Sequence, residues 1–345
     1  MESTRSLRSL SVALLAAGLG LAAVAAPAPA HTLYLCASIN SSSRVMGGGN
    51  AARDGLYVRT ATGGFEHRGL NMPLLITAVP DPQQPAHLYV AGLSGAMRTT
   101  DGGQSWRILT GWDETEPKSL AFDAQNPARL YVGLPDGFIV SDDRGTTWRR
   151  AEQGLPARGK YTQCLQVDRT RGGRVLIGCE TGIYLTEDGA QSWRRVLETV
   201  DTVNDIQQSP HDPRHWLAVS QSAGVLESRD GGLSWRRLPG LPLEKAWYNI
   251  AFDPQNRGRL AVASWSYGLL TSEDDGQSWT PRNAGLPGDG TPRVWRTAFD
   301  PDDGRLYAAV VEKALYASAD FGRTWQPIGM EGSIIRSFTF VPAAR

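Results

Sequence analysis

The residues of this 345-residue chain that could do chemistry are carboxylates, imidazoles and thiols, and the carboxylates recur in one fixed setting. Asp101, Asp143, Asp188, Asp230, Asp274 and Asp320 each hold the third place of the pattern [S/T]-x-D-x-[G/A]-x-[S/T]-W. The closing residues are Trp106, Trp148, Trp193, Trp235, Trp279 and Trp325, separated by 42, 45, 42, 44 and 46 residues. Six Asp residues in six identical settings cannot be six active sites. A self-similar period of this length marks a repeat architecture. In a tight turn Asp accepts backbone N–H bonds, Gly supplies positive φ, and a Ser or Thr hydroxyl bonds locally. Trp then brings a large apolar body to bury beneath the turn.

The remaining candidates are scattered. His211 and His215 have a spacing that suits a metal on a helix, but Pro210 and Pro213 interrupt the segment, so no metal site is assigned. His31 at a new N-terminus would pair a free amine with its ring, a copper-chelating combination, but no second placed His accompanies it. Asp113, Glu114, Glu116 and Glu312 read as loop acids. No phosphate-binding Gly loop and no Ser/His/Asp order is present, and no cofactor is expected. Cys164 and Cys179 fall in two runs joined by an Arg-Gly-Gly turn, which makes them candidate disulfide partners if the register lets their Cβ atoms meet.

The elements that must carry these residues are strands. An apolar run precedes each box, as in GFIVS from Gly137, GIYLT from Gly182 and GLLTS from Gly268. Upstream of each run lies a hairpin with an Asp or Pro turn, as in SLAFDAQNPARLYVG from Ser119 and NIAFDPQNRGRLAVA from Asn249. Four short antiparallel strands per repeat form the unit of a β-propeller blade. HTLYLCAS from His31 matches a second strand, and IIRSFTFVP from Ile334 matches a first strand with nothing after it to pair. The two ends are therefore expected to share one blade, which leaves no free edge there. Tyr57–His67 is a decayed box with Phe65 near the Trp place. The fold class is all-β: a seven-bladed β-propeller of four-stranded antiparallel blades over residues 31–345, closed by its terminal strands.

Residues 1–30 read as a secretory signal peptide. Arg5 and Arg8 precede a short apolar stretch, and Ala28-Pro29-Ala30 offers a small-x-small cleavage site. The mature protein is expected to be periplasmic or secreted, with no stable membrane insertion, since no further run reaches spanning length. The formal net charge is zero, which argues against nucleic acid or an anionic membrane as partner.

The boxes resemble the BNR or Asp-box repeats of sialidases, sortilin and xyloglucanases. Together with the leader, the Asp-Pro turns and the connectors at Gly154-Leu155-Pro156, Gly240-Leu241-Pro242 and Gly285-Leu286-Pro287, the chain is most similar to the photosystem II stability and assembly factor family. That resemblance implies a non-enzymatic protein that binds protein subunits during assembly; the photosynthetic role is not carried over. The alternative is a glycoside hydrolase or carbohydrate-binding propeller. The Arg-Ile-Pro motif of sialidases is absent, and Ala61 and Thr62 stand where xyloglucanases carry a catalytic Asp. Glycoside hydrolysis needs two placed carboxylates.

In such a blade the box turn and the Asp-Pro turn fall on one face. The other face carries loops that differ between repeats and is the expected binding face. Indexing five residues before each first-turn Asp gives Ile76, Lys118, Gln163, Tyr248, Trp295 and Arg336 at the rim. Leu120, Phe122, Ile250, Phe252 and Phe299 mark a deeper apolar register. The expected binding rim is Lys118, Tyr161, Trp247, Tyr248, Trp265, Tyr267, Trp295, Arg296 and Arg336. Rings with Arg suit a protein partner and also stack on sugars. The Ser/Gly-rich loop Ser38–Asp54 is expected either to cover one side of this mouth or to play no part in it.

Overall fold

The computed structural model describes residues 29–39 and 53–343. Most of the expected leader, and the Ser/Gly-rich loop between 40 and 52, lie outside the described residues. Seven four-stranded antiparallel sheets follow one another. Blade one is composite, with Ser333–Pro342 innermost, then His31–Ile39, Arg53–Arg59 and Phe65–Arg68. Blades two to seven begin at Thr77, Ser119, Cys164, Val203, Asn249 and Val294. The first strand of each blade touches the first strand of the next, including that of blade seven against Ser333–Pro342, so the ring is closed.

Closure rests on a long ladder. His31 pairs with Pro342, Leu35 with Phe338 and Ile39 with Ser333, with one bulge at Cys36/Ala37. The chain ends thus meet as the sequence predicts.

In blades three to six the second and third strands are buried from end to end, as in Leu130–Leu134 and Gly137–Ser141. They read as continuous apolar runs because a neighbouring blade covers each face. The core is accordingly a set of seams. Tyr89 and Ala91 of blade two pack with Leu120, Val132 and Ile139 of blade three. Leu33, Leu35 and Ile335 of blade one pack with Tyr307 and Leu315 of blade seven. Leu120, Phe122, Ile250 and Phe299 are buried in such seams, as the deeper apolar register predicts. Phe252 is partly buried against the seam of blades five and six.

Each box is a turn pinned by its Asp. Asp143 Oδ1 accepts from Ser141 Oγ at 2.8 Å, Thr146 N at 2.9 Å and Thr147 N at 2.8 Å. Its Oδ2 accepts from Thr147 Oγ1 at 2.6 Å. Two successive residues then take positive φ, Arg144 at 61° and Gly145 at 84°. A Cβ on Gly145 would meet Leu109 of the preceding blade at 2.8 Å. The Trp ties blades together: the indole N–H groups of Trp148, Trp193 and Trp325 donate to the carbonyls of Leu109, Ala151 and Arg282, each one blade back.

The box acids carry a pH dependence. The Thr147 hydroxyl, then the Thr147 N–H and the Ser141 hydroxyl, hold the Asp143 carboxyl down to about 2 from its ordinary 3.8. The corresponding bonds bring Asp274 and Asp320 to about 2 as well. A depressed carboxyl stabilises the fold fully above its unfolded pKa, and the contribution is lost as pH falls through the folded one. The melting temperature should therefore hold steady down to roughly pH 4 and fall steeply towards pH 2. Calorimetry across that window checks this; a decline already complete by pH 4 would contradict it.

Candidate functional site

The box turns and first-strand turns lie on one face of the ring. At the opposite face the channel opens into a cavity of about 280 Å³. Its walls are Tyr161, Gln163, Thr202, Asn204, Tyr248, Trp295 and Arg296 from the approaches to first strands, with Glu180 and Gln221 from turns between second and third strands. A second hollow of about 490 Å³, lined by residues such as Pro287, Asp289, Arg293 and Val311, contains no aromatic ring.

Five of the sequence-predicted rim residues, Tyr161, Gln163, Tyr248, Trp295 and Arg296, meet in the first cavity. Tyr248 and Trp295 stack at 5.7 Å and 12° between planes, and Trp265 closes the trio at 5.3 and 4.8 Å from them. The indole N–H groups of Trp265 and Trp295 are buried without a hydrogen-bond acceptor. Lys118 lies 5.7 Å over the Tyr161 ring and pairs with Glu116 at 3.3 Å. Arg336 does not line the cavity; its guanidinium donates to Ser38 Oγ at 2.6 Å within blade one.

Trp247 corrects the sequence reading. It is fully buried in the seam between blades five and six, and its indole donates to the Pro242 carbonyl at 3.0 Å. Tyr267 stacks on it at 5.2 Å, bonds Glu244, and likewise stays outside the cavity wall. Neighbouring residues alternate sides on an extended chain, so the side chain that reaches the mouth belongs to Tyr248.

Beneath the rings the innermost strands are clamped to one another through polar side chains. Asn204 Nδ2 donates to the Trp247 carbonyl at 2.8 Å. Asp205 Oδ2 accepts from Asn249 Nδ2 at 2.6 Å and from Ile250 N at 3.1 Å. Asn249 Oδ1 accepts from Thr297 N at 2.7 Å. Arg296 donates to the carbonyls of Tyr248 and Arg336, at 2.7 and 2.8 Å. A first strand has an unpaired edge towards the channel, and these bonds occupy part of that edge in blades five, six, seven and one. Burial raises the Asp205 carboxyl, with the Arg296 charge opposing, and burial also lowers the Arg296 guanidinium.

Asn204 escaped the sequence index because Ser209 takes the place of the turn Asp in blade five. Ser209 N donates to the His215 carbonyl at 2.9 Å, as Asp253 N does to that of Arg259 at 3.0 Å. Counting five residues back from Ser209 would have found it.

The other candidates are committed elsewhere. Glu312 pairs with Arg293 at 3.3 Å, and Glu114 accepts from Gly111 N at 3.3 Å. Asp113, like these, lies outside the cavity wall, where Glu180 is the single carboxylate among the described residues. His211 Nε2 lies 2.8 Å from the Asp253 carbonyl. His215, Glu227 and Asp275 bring ligand atoms within 4.8 Å of one another, but Arg229 bonds both acids and Arg236 bonds Glu227. Burial pushes the Glu227 carboxyl up, and His215 and Arg229 outweigh it to hold the group at about 2. That cluster is a neutralised ion-pair network.

The candidate Cys164–Cys179 bridge is absent. Cys164 pairs across the ladder with Gly178, so Cys179 is one residue off and its side chain leaves the other face. Cys164 Sγ instead lies 3.4 Å from the Val203 carbonyl, and Cys179 Sγ lies 3.7 Å from Thr162 Oγ1. Burial pushes the thiols of Cys36 and Cys179 up to about 12 and Cys164 well above its usual value. Thiol titration without reductant should therefore count none in the native protein and three after unfolding. One thiol after unfolding would mean that a bridge exists.

Residues 70–222 match the family model described as photosynthesis system II assembly factor YCF48. The photosystem II assembly protein Ycf48 of Synechococcus sp. (strain JA-2-3B'a(2-13)) is 33% identical over 147 residues, 40% of this chain and 42% of that protein. The match thus spans less than half of the curated relative's length. Among solved structures, the GH74 enzyme of Niastella koreensis superposes with a TM-score of 0.63 at 16% identity, covering 79% of this chain and 52% of the enzyme. YCF48 bound to D1 peptide superposes at 0.59 and 19% identity, covering 75% and 82%. YCF48 from Cyanidioschyzon merolae gives 0.57 at 18% identity, covering 75% and 87%. At these identities the structural likenesses speak for the fold. The chain is a BNR-repeat propeller, similar in sequence to the photosystem II assembly factors from the approach to blade two into blade five.

Proposed function

We propose that this propeller is an exported, non-catalytic scaffold that holds a segment of a partner protein at the channel mouth. The observation that carries this reading is the half-buried trio Tyr248, Trp265 and Trp295 at the channel mouth, of which Tyr248 and Trp295 join Arg296 in the cavity wall. Aromatic rings beside Arg are the usual anchors of protein recognition. A propeller of similar fold has been solved with a D1 peptide bound, which supports a peptide as the class of occupant. Export follows from the leader-like residues 1–30, with cleavage after Ala30 into the periplasm or beyond.

Carbohydrate is the second reading, because rings also stack on sugars and GH74 enzymes share the architecture. Hydrolysis would need a facing pair of acids, and Glu180 is alone in the cavity wall. Arg296 is unsuitable as a probe, since its removal would also break the clamp to blade one.

The test uses the double variant Tyr161→Ala/Trp295→Ala, both at the cavity wall. Losing an anchor Trp costs roughly 2 kcal/mol or more of binding, about 30-fold. Capture of a partner from periplasmic extract should fall at least that far while the melting temperature barely moves. Undiminished capture would overturn the proposal, and so would turnover of xyloglucan oligosaccharides that the variant abolishes.

A further inference from the structure

On the box face, away from the mouth, His31 begins the second strand of blade one. Its main-chain nitrogen lies 2.9 Å from Asp302 Oδ2, and its ring Nδ1 lies 2.7 Å from Asp302 Oδ1. Asp302 belongs to the first-strand turn of blade seven, so the contact crosses the seam where the ring closes. One residue therefore aims two nitrogens at the two oxygens of one carboxylate.

In the uncut chain the first of these nitrogens is a peptide N–H, which has no lone pair to offer a metal. If the chain is cut after Ala30, the same atom becomes a primary amine. The amine and Nδ1 of an N-terminal His close a six-membered chelate ring around a cation. That ring needs both nitrogens on the same side, and this is the rotamer present.

We propose that leader removal after Ala30 creates a copper(II) site from the His31 amine, His31 Nδ1 and the Asp302 carboxylate. This inference rests on the processing step proposed above. The two nitrogens and the carboxylate converge on one another across the seam, so a cation between them would meet two nitrogen donors and one oxygen donor. Nitrogen and oxygen donors in tetragonal geometry select Cu(II), which also heads the divalent series in affinity. The site is half-buried, with side-chain exposures of 31% for His31 and 20% for Asp302, so an ion can enter.

Charge separates this site from the one around His215. There, guanidinium groups already neutralise Glu227 and Asp275. Among the described residues no Lys or Arg pairs with Asp302, and His31 is its ionic partner. The adjacent Asp303 is taken by Arg305 at 3.0 Å. A cation at His31 thus meets a carboxylate with no competing cationic side chain.

The test is titration with Cu(II)-glycinate of a chain that starts at His31, followed by electron paramagnetic resonance. One ion per chain and a tetragonal spectrum with two nitrogen donors are expected. A chain that starts at Pro27 keeps His31 N as an amide and should bind at least a hundredfold more weakly. Asp302→Ala should bind at least tenfold more weakly with an altered spectrum, and Asp302→Asn should fall between. Equal affinity in the Pro27 chain would overturn the proposal. So would an Asp302→Ala chain, folded by circular dichroism, with unchanged affinity and spectrum. The intact mass of the exported protein reports the cut separately. A terminus other than His31 sinks the processing reading and the site with it, whereas a His31 terminus without copper binding sinks the site alone.

Discussion

The antiparallel pairing of His31–Ile39 with Ser333–Pro342 is the constraint on which the rest of the molecule depends. A propeller blade buries both faces of its middle strands only when a neighbour stands on each side. Without the terminal pairing, blade one would lose its innermost strand, and the seams it shares with blades two and seven would open together. Such a break would also free a long strand edge, which folded proteins avoid leaving unpaired.

The two faces then divide the work. On one, six boxes pin their turns through the same Asp, and Trp148, Trp193 and Trp325 carry a hydrogen bond from blade to blade. On the other, the turns differ, and the first strands converge on a mouth with rings above and polar clamps below. The clamps let neighbouring strand edges approach without losing backbone partners. Asn204, Asp205, Asn249 and Arg296 thus fix the spacing of the first strands, and that spacing sets where Tyr248 and Trp295 stand. A binding surface on this mouth is rigid because its floor is a hydrogen-bonded ring segment rather than a loop.

Most of the architecture was legible in the sequence, because each repeat writes its turn chemistry in the same residues. The composite blade was legible for a related reason: a second-strand pattern at one end and a first-strand pattern at the other had no other partner. The misses share one physical cause. Strand side chains alternate, and a shift of a single residue changes the side. That shift sends Trp247 into a seam while Tyr248 reaches the mouth, and it separates Cys164 from Cys179. Asn204 was hidden by a Ser in the place of Asp, and the meeting of His31 with Asp302 spans 271 positions that no local pattern connects.

Native-state hydrogen exchange at the closing ladder tests the ring most directly. The amides of Leu33–Ala37 and of Ile335–Val341 should exchange together, and only with the free energy of global unfolding. If either segment exchanged early, independently of the buried strands of blades three to six, the terminal pairing would not be what holds the ring shut.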